Sequence, residues 1–266
     1  MPFSSSSKQN RLLAALPDSR RQRWLPKLEW VFMPLGRVLH GSGLLLSHVY
    51  FPVTATVSLI YAMNSGASSA VACIGCEGLV GVEAFMGGHS MPGRAVVQSE
   101  GYGFRLSAAL VKEEFESNSA TMQLLLRYTE ALLAQIAQLA ACSRHHSLEQ
   151  RLSRWLLWQV DHLHACEILA THERIANSLG VRRESVSAVL GKLQTGGVIR
   201  YSRGHISIEN RIGLEKQSCE CAHVIRLAYE HLPTGDMSRI PKLTSAPAMP
   251  ATLPADPDPI FVHVIS

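Results

Sequence analysis

No run in these 266 residues approaches the roughly 20 consecutive apolar residues that a bilayer-spanning helix needs. The opening MPFSSSSKQNRLLAALPDSRRQRW also lacks the uninterrupted apolar core of a secretion signal. The chain is therefore expected in the cytoplasm, without a membrane partner. A disulfide framework is missing too: the 6 cysteines follow no framework spacing, which suits a reducing compartment where thiols act as small hydrophobes or rare reactive groups. There is no P-loop, nucleophile elbow or paired metal motif, and the histidines and acids do not cluster at catalytic spacing. An enzyme is not expected, and no catalytic residue is assigned.

What the chain does contain is enough apolar material for real cores. With 47% hydrophobic and 17% charged residues it reads as a folded protein, and its length fits two modest domains. The net charge of +4 suits an anionic partner without specifying one.

Hydrophobic periodicity divides the chain. Residues 1–30 read as a Ser-rich tail and a short helix. Over 31–107, short apolar runs (VLH, HVYFPV, TVSLIYAM, SAVACIG, RAVVQ) alternate with Gly, Pro, Ser and Asn, the pattern of a small antiparallel β-barrel or jelly roll. From 108 to 146 the period turns helical: Leu125, Leu132 and Leu139 recur every seven residues, with small alanines between them. One long helix is expected, packing either on its own barrel or against a second copy. The second is favoured, because its apolar surface exceeds what one small barrel covers. Residues 147–232 read as a helical block with a β-ribbon. The Pro- and Ala-rich stretch 233–266 is expected to be disordered. The fold class is α+β.

Within 147–232, THERIANSLGVRRESVSAVLGKLQTGGVIRYSRGHISI reads as helix, turn, helix and two-stranded wing. Thr171 is a good N-cap, Glu173 complements the helix dipole, and Gly180 supplies the left-handed end of the first helix. The second helix has an apolar stripe, Val186, Val189, Leu190 and Leu193. Its opposite side carries Glu184, Ser187, Ala188 and Gly191, with Arg182 and Arg183 at its N-terminal end. A recognition helix leads into the major groove with its N-terminal residues and keeps small side chains near the bases. Arginine can pair with guanine and glutamate can accept from cytosine, so the arginines and Glu184 of this face are candidate base readers. Lys192 and the ribbon residues Arg200, Ser202, Arg203 and His205 are candidates for phosphate.

The segment IANSLGVRRESVSAVLGKLQ and the wing VIRYSRGHISI resemble the winged-helix domain of the Crp/Fnr family of bacterial transcription regulators. EGLVGVEAF and GRAVVQS resemble two strand segments of that family's cyclic-nucleotide-binding-like barrel. The resemblance implies a homodimeric regulator of double-stranded DNA, with an inverted-repeat operator, RNA polymerase as a further partner, and the long helix as dimerisation helix. Arg183, Glu184 and Ser187 match the family's recognition pattern. Ala188 stands where a further arginine usually lies, and Arg182 replaces the usual small hydroxyl cap, leaving it free for phosphate.

The family's cyclic-phosphate cassette is not matched. Gly81 and Val82 fall where the pattern has Gly-Glu, and Gly93 and Arg94 fall where it has Arg-Ser, so the glutamate is missing and the arginine is shifted by one. On a strand that shift turns a side chain to the other face. Cyclic-nucleotide binding is therefore not expected, and no cofactor is; Glu83, His89 and Arg94 are candidates for an unknown small-molecule effector. The CIGC stretch, Cys73 to Cys76, has no second CxxC and reads as strand cysteines. His145 and His146 are adjacent and poor joint ligands, and Cys219 and Cys221, taken as helical at i, i+2, are poorly placed for chelation. No metal site is expected. The competing functional reading is a ligand or redox sensor that acts through protein contacts without specific DNA binding.

Overall fold

The computed structural model describes residues 9–87, 92–163, 167–230 and 232. The first domain opens with two short helices, α1 (Arg11–Ala15) and α2 (Asp18–Trp24), and a 3₁₀ turn, Leu25–Lys27. Asn10 explains why so short a helix holds. Its Oδ1 accepts from Leu13 N at 3.0 Å, while Nδ2 donates to the carbonyls of Pro52 and Gly78, both at 2.8 Å. One buried amide thereby caps α1 and ties it to the sheets.

Seven strands follow: β1 (Glu29–Met33), β2 (Val38–His40), β3 (His48–Pro52), β4 (Thr56–Ala62), β5 (Ser68–Ile74), β6 (Arg94–Ser99) and β7 (Gly101–Ser107). They form two antiparallel sheets, β1-β7-β3 and β2-β6-β4-β5, the double-sheet arrangement that the alternating sequence predicts. Met33, Val49, Phe51, Val57, Leu59, Val97, Phe104 and Leu106 are buried in one core, consistent with the period-2 pattern of half-buried strands. At the edge of this core, Trp30 of β1 packs edge-on against Phe104 at 4.7 Å and stacks on Tyr102 at 5.4 Å between ring centroids.

The expected single long helix is two: α3 (Ala108–Ser117) and α4 (Ser119–His145). Asn118 breaks them. It takes an extended conformation (φ −135°, ψ 113°), and its side chain accepts from Thr121 N, a local bond that competes with helix continuation. Arg23 and Arg20 of α2 pair with the buried Glu114 of α3 at 3.1 and 3.6 Å. α4 lies on the barrel through Tyr128, whose hydroxyl donates to Leu79 O at 2.6 Å. Gly78 has to be glycine here, since a Cβ would stand 2.3 Å from the Tyr128 ring.

The remaining elements are α5 (Leu148–Leu163), β8 (Glu167–Leu169), α6 (His172–Leu179), α7 (Arg183–Thr195), β9 (Ile199–Ser202), β10 (His205–Ile208), α8 (Arg211–Gln217) and α9 (Cys221–Glu230). Their three strands form one sheet, β8-β10-β9. Leu152, Trp155, Leu156, Ile175, Leu179, Val186, Leu190, Leu193 and Ile206 form a second core. α9 is different: Ile225 and Tyr229 are buried with the core of the first domain, and Tyr229 Oη donates to Gln135 of α4 at 3.2 Å. No described helix is long and apolar enough to cross a membrane. The expectation for 233–266 lies outside the described residues.

Candidate nucleic-acid interface

α6 and α7 form a helix-turn-helix with the predicted punctuation. Thr171 accepts from Arg174 N, and Gly180 ends α6 at φ 64°, ψ 42°, the left-handed conformation that glycine adopts without Cβ strain. Trp155 Nε1 donates to Ser178 Oγ at 3.1 Å, fixing α6 on α5. Val186, Val189, Leu190 and Leu193 are the buried side of α7. Its outer side exposes Arg182, Arg183, Glu184, Ala188, Gly191 and Lys192. Arg182 is the N-cap and makes no side-chain capping bond, so its guanidinium is not used to hold the helix.

Ser187 behaves differently from its neighbours. Its hydroxyl donates to Arg183 O at 3.1 Å and lies 2.6 Å from His172 Nδ1. With its one proton spent on the carbonyl, the hydroxyl accepts from the imidazole. Burial, with the nearby charge of Arg183, lowers the His172 pKa, which favours a neutral ring that can make this bond. His172 also lies against Tyr201 of the wing, with ring centroids 4.5 Å apart. A helix-turn-helix pattern gave no sign of this link, because the histidine occupies the first position of α6, fifteen residues from Ser187.

β9 and β10 make the wing, joined by Arg203 and Gly204 at φ 48° and 87°. Both residues at positive φ is the type I′ hairpin geometry that matches strand twist. Arg203 therefore sits at the tip, exposed, in a conformation that few non-glycine residues adopt. Two of the other ribbon candidates have acidic neighbours: Arg200 pairs with Glu209 and His205 with Glu167, each at 2.9 Å. Arg203 and Lys192 make no ion pair among the described residues, so the wing tip and the outer side of α7 hold the available positive charge.

The effector candidates are only partly assembled. Glu83 sits half-buried in a 3₁₀ turn, Val82–Ala84; burial pushes its carboxyl up, and its charge acts on Tyr61. Gly93 lies against the Tyr61 ring, and the next residue, Arg94, is exposed while Ala95 is fully buried. His89 lies outside the described residues. Val82 offers no carboxylate at this turn, and Arg94 is exposed.

Besides the packing of α9 on the first core, the helix-turn-helix region and the barrel touch through polar and close contacts among the described residues. His162 of α5 and Glu77 of the loop after β5 form an ion pair of 3.0 Å; Arg174 of α6 donates to Gln98 O; Gly180 lies close against Ser69 of β5. Glu77 also accepts from Gly75 N at 2.9 Å. Desolvation opposes ionisation of both partners, but for Glu77 the charge and hydrogen bond of His162 prevail and hold the carboxyl low. His162 is correspondingly raised by Glu77.

The cysteines depart from expectation. Cys73 is a buried strand residue, and Cys76 is half-buried in the next loop. Cys142, His146, Cys219 and Cys221, however, come together with their ligand atoms within 4.8 Å of one another. The spacing argument against Cys219 and Cys221 fails because they are not on one helix: α8 ends at Gln217, Ser218 is its extended C-cap, and Cys221 opens α9.

Residues 150–217 match the family model described as a Crp-like helix-turn-helix domain. No curated protein matches the chain significantly. Solved structures do: a putative transcriptional regulator of the Crp/Fnr family from Eubacterium rectale is 17% identical with TM-score 0.63, covering 77% of this chain and 96% of its own. FixK2 from Bradyrhizobium japonicum is 17% identical with TM-score 0.63, covering 72% and 98%. The c-di-GMP-responsive global regulator CLP of Xanthomonas campestris is 16% identical with TM-score 0.59, covering 72% and 99%.

Proposed function

We propose that this chain, which carries a Crp-like helix-turn-helix domain on the fold of Crp/Fnr-family regulators, is a DNA-binding transcription regulator acting as a homodimer on an inverted-repeat operator in the cytoplasm. The observation that carries the reading is the outer side of α7. Its N-terminal residues Arg182, Arg183 and Glu184 are exposed beside a small-residue track of Ala188 and Gly191, and the wing tip offers Arg203. Arg183 and Glu184 reach base edges, with Ser187 and His172 fixing the helix they project from. Arg182, Lys192 and Arg203 contact phosphate.

The dimer reading is supported by α4. Leu126 and Leu133 are 43% and 58% exposed, and Ala137 and Ala140 are exposed beside them; the spacing i, i+7, i+11, i+14 puts all four on one stripe. A single chain leaves that stripe bare, and a twofold partner covers it with the same residues. Glu83, Arg94 and His89 remain candidates for a non-nucleotide effector, and RNA polymerase is the protein partner such a regulator addresses.

Duplex binding followed by fluorescence anisotropy at several salt concentrations tests the assignment. Affinity that falls steeply with salt supports it. Absence of salt-dependent binding instead favours a sensor that works through protein contacts.

A further inference from the structure

We propose that Cys142, His146, Cys219 and Cys221 form a binding site for a single soft divalent cation, zinc by its chemistry, which clasps the end of α4 to the start of α9. Cys142 and His146 stand at i, i+4 at the end of α4, on one face of the helix. Cys219 and Cys221 are brought back onto that face by the turn between α8 and α9. Three of the four residues are fully or almost fully buried, Cys142 at 1%, Cys219 at 5% and Cys221 at 0% exposure.

The distances suit one ion. Cys142 Sγ and Cys219 Sγ are 3.6 Å apart, and Cys221 Sγ lies 3.5 Å from His146 Nδ1. A tetrahedral zinc with bonds of about 2.3 Å to sulfur and about 2.1 Å to nitrogen sets its ligands roughly 3.5–3.8 Å apart. At 3.6 Å the two sulfurs are in contact as free thiols and are not joined as a disulfide, whose S–S length is about 2.05 Å. An iron-sulfur cube needs its ligands spread around four irons, whereas these ligand atoms all lie within 4.8 Å of one another. Three thiolates and an imidazole in tetrahedral array are donors that select zinc among the common divalent ions.

The surroundings are those of a ligand set. Glu220 lies 3.2 Å from His146 Nε2, so the carboxylate accepts from Nε2–H and leaves the Nδ1 lone pair facing the sulfurs, the usual support for a metal-bound histidine. Gln138 Nε2 donates to Cys221 Sγ at 3.1 Å, a bond that stabilises thiolate. Three thiolates with one divalent cation leave a net charge of −1, and the electrostatic influence of Arg154 on Cys142 offsets it. Binding replaces thiol protons with the metal, so it is tighter at higher pH. His146 is the C-cap of α4, and α5 of the DNA-binding domain begins two residues later. The clasp therefore acts where the long helix hands over to that domain; its influence on DNA binding rests on the function proposed above, but the site itself does not.

The test uses the full chain, prepared under reducing conditions with and without zinc, with metal content by mass spectrometry and a cobalt titration. About one equivalent per chain is expected, with thiolate-to-cobalt charge transfer and strong tetrahedral absorption. Cys219→Ser and Cys221→Ser should lose at least tenfold in affinity, and Glu220→Gln about tenfold. Cys73→Ser and Cys76→Ser should match the wild type. His146→Cys should keep the cobalt with an altered four-thiolate spectrum, which excludes simple misfolding as the reason the serine variants fail. A natively folded chain that binds neither zinc nor cobalt, an iron-sulfur absorption, or metal retained by both serine variants would overturn the site. Anisotropy on the same samples separates the two proposals: metal binding without DNA binding contradicts the regulator and leaves the clasp standing.

Discussion

At the residue scale, the outer side of α7 divides its work between groups that are free and groups already engaged. Arg183 and Glu184 are exposed, whereas the hydroxyl of Ser187 gives its proton to Arg183 O and meets His172. Glu184→Ala should cost about 1–3 kcal/mol of discrimination at one base pair, measured as the affinity ratio between matched and singly substituted duplexes. Arg203→Asn tolerates the positive φ but removes a charge at the wing tip. It should weaken all sequences alike and lower the salt slope by about one. Equal losses on every duplex for Glu184→Ala would remove that residue from base readout. The exposed side of α7 was legible from α-helical spacing, because the apolar stripe fixes which side faces out. His172 was not: its link to Ser187 depends on how α6 crosses α7, which spacing within one helix does not encode.

At the element scale, the strands and the helix-turn-helix were legible because both faces of their pattern are decided locally, by period-2 alternation and by Gly180 as terminator. Two features escaped for the opposite reason. Asn118 splits the long helix through a side-chain bond to Thr121 N, although the apolar pattern runs through it. The four-ligand cluster joins residues 77 positions apart, Cys142 and Cys219, which only the return of α9 onto α4 brings together. α4 also carries the dimer prediction. Leu133→Glu places a charge on the exposed stripe in both copies; losing about 2 kcal/mol per leucine, twice over, shifts the dimer Kd by about a thousandfold. Light scattering should show the wild type at twice the chain mass and the variant at the chain mass. A monomeric wild type would remove the stripe from any dimer interface.

At the scale of the whole molecule, the barrel and the DNA-binding domain are joined by the Glu77–His162 pair, 3.0 Å apart. His162 is raised above its ordinary 6.5, so its stabilisation is complete below about pH 6.5 and is lost as pH rises through the raised value. Glu77 is held below its ordinary 4.5, so its share is present above that value and is lost only as pH falls through the depressed one. The joint is therefore firmest in mildly acidic solution. Thermal unfolding should show the wild type losing stability as pH rises above about 6.5 and through the raised value of His162, and a Glu77→Gln, His162→Gln double variant should lose that pH dependence. Identical pH profiles would mean the pair contributes nothing to the joint.

The most direct test of the central claim is selection of bound duplexes from a random pool by the full-length chain. The two recognition helices of a twofold dimer should recover an inverted repeat with half-sites about 34 Å apart, one helical turn. Enrichment of single half-sites or of no sequence at all would contradict the account of a homodimer reading DNA through α7.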